Sequence, residues 1–297
     1  MQDNPIEVGS VINSRYKVVR LLGAGSFGAV YLGMDLREKG SLWALKEVVG
    51  NRAAFTDHSE FLLSFRNEAR ILMSLSHPGI PGIIDFFISG GRGYLVMERV
   101  EGLTLEEIAE NNKNPLSEEE VIRWGVCVCD TLHYLHSHDP AIIFRDLKPS
   151  NVMLTMDERV ILIDFGIARF YVPGKPSDTV PLGTPGYSPP EQYGRDQTTP
   201  ASDIYALGTT MYYLLTLQDM ASFKFKFPPV RTLNQQVSTR MEKVLERCLE
   251  LNPECRFSSV VDLKQSLLEA KEGLEKPRGL LGAFLSRIYR GPNRHKC

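Results

Sequence analysis

The chain has 297 residues, 43% of them hydrophobic and 24% charged, a size for about one large or two modest domains with enough apolar material for a core. This composition excludes a disordered tail, a collagen-like rod and a disulfide-stapled miniprotein. The net charge of -2 conceals an asymmetry: from residue 276 onward six basic residues stand with no acid, leaving 28 Lys and Arg against 36 Asp and Glu before them.

An acidic body argues against nucleic-acid binding, which needs a basic face. Five cysteines, an odd number without paired spacing, suit a reducing compartment. The opening Met1-Gln2-Asp3-Asn4-Pro5 lacks the basic and apolar regions of a signal peptide, and no run approaches about 18 uninterrupted apolar residues. These features read as a cytoplasmic protein.

In chain order, Tyr16-Lys17-Val18-Val19-Arg20-Leu21-Leu22 and Ala29-Val30-Tyr31-Leu32 are β-rich runs around a glycine cluster, and Leu42-Trp43-Ala44-Leu45-Lys46 is a third strand. Residues 59–75 switch to helical period, with Phe61, Phe65, Ala69 and Leu72 on one stripe. Strands are predicted near 83–88 and 94–99, then helices over 104–112, 117–138, 199–217, 238–251 and 258–274, with loop-rich sequence from 139 to 198. The predicted division is a small β-rich lobe with one main helix over 14–99, a mainly helical lobe over 100–274, and a basic tail over 275–297.

Several residues carry chemistry. In Gly23-Ala24-Gly25-Ser26-Phe27-Gly28-Ala29-Val30, glycines between two strands let the backbone close over a ligand and aim N–H groups at phosphate oxygens. The strand–strand setting argues against a dinucleotide fingerprint, which needs a helix after the turn. Lys46 lies on the third strand, and Glu68 falls on the apolar stripe of the following helix. A buried carboxylate needs a cation or must lose its charge, and Lys46 is its natural partner. Asp146, Lys148 and Asn151 cluster between apolar runs, and Asp164 ends Ile161-Leu162-Ile163. Asn151 and Asp164 offer the hard oxygen ligands that magnesium takes beside phosphates and water.

The glycine loop, Trp43-Ala44-Leu45-Lys46, Glu68, Phe144-Arg145-Asp146, Asn151, Asp164-Phe165-Gly166 and Pro189-Pro190-Glu191 stand in the order of a protein kinase, and the chain resembles that family over about residues 14–272. Arg145-Asp146-Leu147-Lys148-Pro149-Ser150-Asn151 resembles the serine/threonine branch, and the 183–193 stretch is similar to bacterial eukaryotic-like members.

The resemblance implies an α+β, bilobal protein kinase-like fold and transfer of the γ-phosphate of ATP to Ser/Thr hydroxyls of protein substrates. A catalytically silent, ATP-binding scaffold is the alternative. Asp146 would accept the substrate hydroxyl proton, Lys148 would neutralise the γ-phosphate, and Lys46, fixed by Glu68, would hold the α- and β-phosphates. Asn151 and Asp164 would hold magnesium, with manganese as the other candidate. Gly23, Ala24, Gly25, Ser26, Phe27 and Gly28 would cover the phosphates. Val30, Ala44 and Leu154 would sandwich adenine, with Met97 as gatekeeper and Glu98 and Val100 as hinge contacts. Asp203 would anchor the loop before Asp146, Glu191 would pair with Arg256, and the Thr184 hydroxyl would bond Asp146 and Lys148.

Arg145 implies an activation segment ordered by phosphorylation, for which Thr179 and then Ser177 are the candidates. Phe144 replaces the family's usual histidine, a position expected to stack on Phe165. The short 217–237 stretch implies an abbreviated substrate-docking region. In the tail, Leu280, Leu281, Phe284, Leu285 and Ile288 fall at helical spacing beside Arg287 and Arg290. Packing on the kinase body and weak contact with an anionic membrane or a partner both stay open. His133, His136 and His138 lack a carboxylate or cysteine at ligand spacing and are not read as a metal site.

Overall fold

The structure is a computed structural model that describes residues 5–25, 28–38, 40–48, 58–165, 169–170, 183–193 and 197–274, the side chains at 58–62, 64, 67, 68, 169 and 170 excepted. Six antiparallel strands form the first layer: β1 Val11–Ile12, β2 Tyr16–Gly25, β3 Gly28–Asp35, β4 Leu42–Val48, β5 Ile83–Ser89 and β6 Arg92–Met97. Their order across the sheet is β1-β2-β3-β4-β6-β5. The sheet thus begins ahead of residue 14, because Val11 and Ile12 pair with Lys17 and Tyr16.

Alternation along β4 divides its side chains between two faces. Residues opposite one another share a face, so the register Val30↔Lys46, Lys46↔Leu95 and Ala44↔Met97 sets these five side chains on one side. The other side carries Tyr31, Leu45 and Val96, which join Ile12, Tyr16, Val18, Ala29 and Tyr94 in a small separate core. There Glu47 is buried, and its charge is met by Arg92 Nη1 at 2.6 Å and by the hydroxyls of Tyr94 and Tyr31. One strand therefore sends a satisfied carboxylate outward and a buried lysine inward.

Helix α1, His58–Ser74, packs on β5 and β6. The Phe65 ring fills the space a side chain at Gly93 would take, 2.8 Å from the position of its Cβ. After residue 97 an irregular link leads to β7 Gly102–Thr104 and helices α2 Leu105–Asn112 and α3 Glu118–His136. Both helices open on a capping box, Thr104 with Glu107 and Ser117 with Glu120, which satisfies backbone N–H groups that a helix start leaves unpaired.

The stretch predicted as loop-rich holds short strands: β8 Ile142–Ile143, β9 Val152–Thr155, β10 Val160–Leu162 and β11 Arg169–Phe170. They form two ribbons, β10-β9-β7 and β11-β8. Runs of two to four residues carry too little periodicity to be told from loop.

The remaining helices are α4 Pro190–Tyr193, α5 Pro200–Thr216, α6 Val230–Leu233, α7 Thr239–Cys248 and α8 Val260–Glu272. Helix α5 is apolar nearly all round and is buried along its length, as expected for a central core helix. Helices α3, α7 and α8 surround it. Gly208 lets α5 approach α7, since a Cβ there would lie 2.5 Å from Cys248 Cβ. Among the described residues no helix is long and apolar enough to cross a membrane.

Candidate active site

The loop between β8 and β9 gathers the polar groups. Asp203, in the first turn of α5, is fully buried; its Oδ2 accepts from Phe144 N at 2.9 Å and its Oδ1 from Arg145 N at 2.8 Å. His136 Nε2, at the end of α3, lies 2.8 Å from the same Oδ2. Gln192 of α4 donates to the Arg145 carbonyl at 3.0 Å. So held, Arg145 sits at φ 70°, a left-handed conformation that a non-glycine residue keeps only when its surroundings enforce it. The Phe144 ring meets Phe165 edge-on, centroids 5.1 Å apart, the contact its replacement of histidine implies.

The clamp fixes Asp146, which is 5% exposed. Asn151 Nδ2 donates to the Asp146 carbonyl at 2.7 Å and to its Oδ2 at 2.9 Å. Lys148 Nζ lies 3.0 Å from Oδ2. The Thr184 hydroxyl donates to Oδ1 at 2.7 Å and accepts from Lys148 Nζ at 2.9 Å. One carboxylate is thereby oriented by an amide, an ammonium and a hydroxyl. Burial first, then neighbouring Glu110, raises the carboxyl pKa of Glu106 on α2, while Lys148 opposes the rise.

Asp164 follows β10 at φ 69°, and its carboxylate is ion-paired with Lys46 from the inner face of β4. The Glu68 carboxylate, expected beside Lys46, lies outside the described side chains, as do Ser26 and Phe27 of the glycine loop. The hairpin flanking that loop pairs Gly23 with Val30, Ala24 with Ala29 and Gly25 with Gly28. Gly28 has φ 134°, and a Cβ there would sit 2.0 Å from the Glu47 carbonyl, so no other residue closes this hairpin.

Val30, Ala44 and Met97 share the face that carries Lys46. Leu154 is buried on β9 between Leu103 and Val160. Glu98, expected at the link, donates its N–H to the Gly82 carbonyl at 2.8 Å. Thr179 and Ser177 lie outside the described residues, and so does the tail from 275.

Asn151 makes both of its side-chain bonds from Nδ2, so its amide oxygen accepts from no described residue. Asp164 adds a carboxylate. Such oxygens suit a hard divalent cation. No cluster of three or more His, Cys, Asp or Glu able to hold a metal occurs among the described residues, so a cation here needs phosphate or water oxygens as further ligands.

His136 is a site residue that the sequence reading passed over. Counting 129, 132, 136 along α3 sets it on the buried stripe, and a polar group there requires a partner. The same count singled out Glu68. The Glu191 carboxylate takes Arg256 Nη1 at 2.7 Å and Nη2 at 2.9 Å, a buried two-pronged pair that ties α4 to the segment before α8.

Two lobes joined by a short link thus carry an oriented aspartate, a lysine–aspartate pair and a glycine hairpin, the parts of a protein kinase fold. The family pattern described as "Protein kinase domain" matches residues 16–269. The chain belongs to the protein kinase family, on its bacterial eukaryotic-like serine/threonine branch. It is 30% identical over 281 residues to the serine/threonine-protein kinase PknB of Mycolicibacterium smegmatis, covering 88% of this chain and 44% of that protein. With the PknB of Mycobacterium tuberculosis it shares 30% over 282 residues, covering 89% and 44%. The crystal structure of the M. tuberculosis PknI kinase domain superposes with a TM-score of 0.71 at 28% identity, covering 90% of this chain and all of that one. The chain spans less than half the length of these curated relatives. ATP and a divalent metal are used generally in this family.

Proposed function

We propose that this protein is an active serine/threonine protein kinase that transfers the γ-phosphate of ATP to hydroxyls of protein substrates. The observation that carries this reading is the bonding around Asp146, with Lys148, Asn151 and Thr184 all within 3.0 Å of it. A scaffold without activity would have no need to orient that carboxylate.

Asp146 orients the acceptor hydroxyl and takes its proton. Lys148 offsets charge on the transferring group, and Lys46, which pairs with Asp164 and for which Glu68 would be the second partner, positions the phosphates under the Gly23–Gly28 hairpin. Asn151 and Asp164 would hold magnesium, which when bound supplies charge neutralisation at the phosphates. Val30, Ala44, Met97 and Leu154 would contact adenine, with the Glu98 carbonyl and Val100 at the link. Phosphoryl transfer demands chiefly positioning and charge stabilisation, which is what a rigid clamp on a short loop provides.

Thr179, or secondarily Ser177, is the site of autophosphorylation that orders the activation segment through Arg145. Mass spectrometry of active enzyme with neither residue modified would count against this. The 276–297 tail, basic and amphipathic, supports weak attachment of a cytoplasmic kinase to anionic membrane. Liposome flotation should differ between full chain and a truncation at 275, and equal flotation removes the idea. The decisive assay is incubation of the full chain with γ-labelled ATP, magnesium and a generic basic protein. Label on serine or threonine is expected, and its absence from both the enzyme and the added protein would refute the reading.

A further inference from the structure

A basic and aromatic wall stands beside the acceptor floor, and the site described above does not use it. Asp219 caps a 3-10 turn, Met220–Phe223, after which Lys224 and Phe225 take φ of 48° and 67°. Two successive non-glycine residues in the left-handed region are an unfavourable backbone choice that invites a functional explanation. Lys224, Phe225 and Lys226 are all exposed, and neither lysine is ion-paired among the described residues.

This segment borders the floor directly. Gly186, two residues past Thr184, has φ 87°, and a Cβ on it would lie 2.5 Å from Ala221 N. The Phe225 ring meets Tyr193 edge-on at 6.0 Å, and these rings are 37% and 41% exposed. Tyr193 follows Gln192, whose amide donates to the carbonyl of Arg145, the residue before Asp146; burial raises the Tyr193 pKa, a bond with Ser188 opposes the rise and the Asp146 charge adds to it. Helix α2, which packs on the turn at 149–151, carries the other sign: Glu110 and Lys148 act on the Glu106 carboxyl, and both carboxylates act on Tyr213.

We propose that Lys224 and Lys226, carried on the Tyr193–Phe225 pair, select protein substrates with acidic side chains on one flank of the phosphoacceptor. This deepens the kinase reading and rests on it. An acidic segment is repelled by Glu106 and Glu110 and attracted by the two lysines, so charge favours a path over the lysines. The exposed rings add apolar contact to a segment that lies across them.

The test compares peptides bearing one serine in a neutral context with versions carrying two acidic residues before it or after it. Acidic residues on one flank only should raise kcat/KM about three- to tenfold, the range for two exposed charge pairs. The gain should fall in KM and shrink at high salt, where the Debye length drops below about 8 Å. In Lys224→Glu/Lys226→Glu the acidic-to-neutral ratio should fall below one, with the same flank now favouring lysine. Equal ratios in wild type and variant, or a preference insensitive to salt, overturn the proposal while leaving the kinase reading intact. Failure of the wild type to modify any peptide or itself overturns both.

Discussion

His136 Nε2 and Asp203 Oδ2 lie 2.8 Å apart, joining the end of one helix to the start of another. Because the Asp203 carboxylate also accepts from Phe144 N and Arg145 N, this pair holds the backbone that presents Asp146. Asp203→Ala strands two buried N–H groups, each worth about 1–3 kcal/mol, so unfolding stability should drop by about 2–6 kcal/mol. Urea denaturation measures this. His136→Leu, which leaves both N–H bonds made, should cost less than Asp203→Ala; equal costs would show that the histidine does more than steady the carboxylate.

Thr184 shares Asp146 and Lys148 through one hydroxyl. Thr184→Val keeps the shape and removes the oxygen, so kcat should fall roughly 10- to 100-fold through misplacement of the aspartate while stability changes little. Thr184→Ser should recover most of the rate. A valine variant as fast as wild type would mean that the hydroxyl has no part in positioning Asp146.

Phe144 is fully buried against Phe165. Phe144→Ala should therefore cost about 3–5 kcal/mol, and Phe144→Leu, closer in volume, less than about 1.5 kcal/mol. Thermal or urea unfolding of the two variants separates packing at this position from any demand for an aromatic ring.

Arg15 and Asp35 give the first lobe a defined acid sensitivity. The Arg15 hydrogen bonds hold the Asp35 carboxyl below the ordinary carboxylate range, against burial and with help from the N–H groups of Arg37 and Glu38. A depressed folded pKa means stabilisation that is complete above the unfolded value of about 3.9 and is lost as pH falls through the folded value. The stability gap between wild type and Arg15→Gln should be widest near neutrality, begin to narrow at about pH 4 and close only below the folded value. A gap constant from pH 3 to 7 would contradict this account.

Much of this arrangement is legible in the sequence, because its carriers are spacing and periodicity. The buried stripe Phe65, Ala69 and Leu72, the polar cluster 146–151 and the carboxylate after Ile161-Leu162-Ile163 follow from counting. Asp203, Glu191 and Arg256 lie where the family order puts them. Other features depend on tertiary contact. The left-handed turn at Arg145 is imposed by Asp203 and Gln192, which are 47 and more residues away. The β7, β9 and β10 ribbon has no strand long enough to show alternation. Arg15 meets Asp35 and Asp85 only after three strands have paired. His136 was within reach, since its place on the buried stripe of α3 asks for a partner, but spacing alone does not say that the partner is an aspartate 67 residues on.

The most direct measurement is turnover of Asp146→Asn set beside its affinity for ATP. Asparagine keeps the volume and some of the bonds to Asn151 and Thr184 but cannot take a proton, so kcat should fall by about 10²–10⁴ with nucleotide affinity nearly unchanged. A variant that phosphorylates at the wild-type rate would contradict the role given to this carboxylate, and with it the chemistry assigned to the cleft.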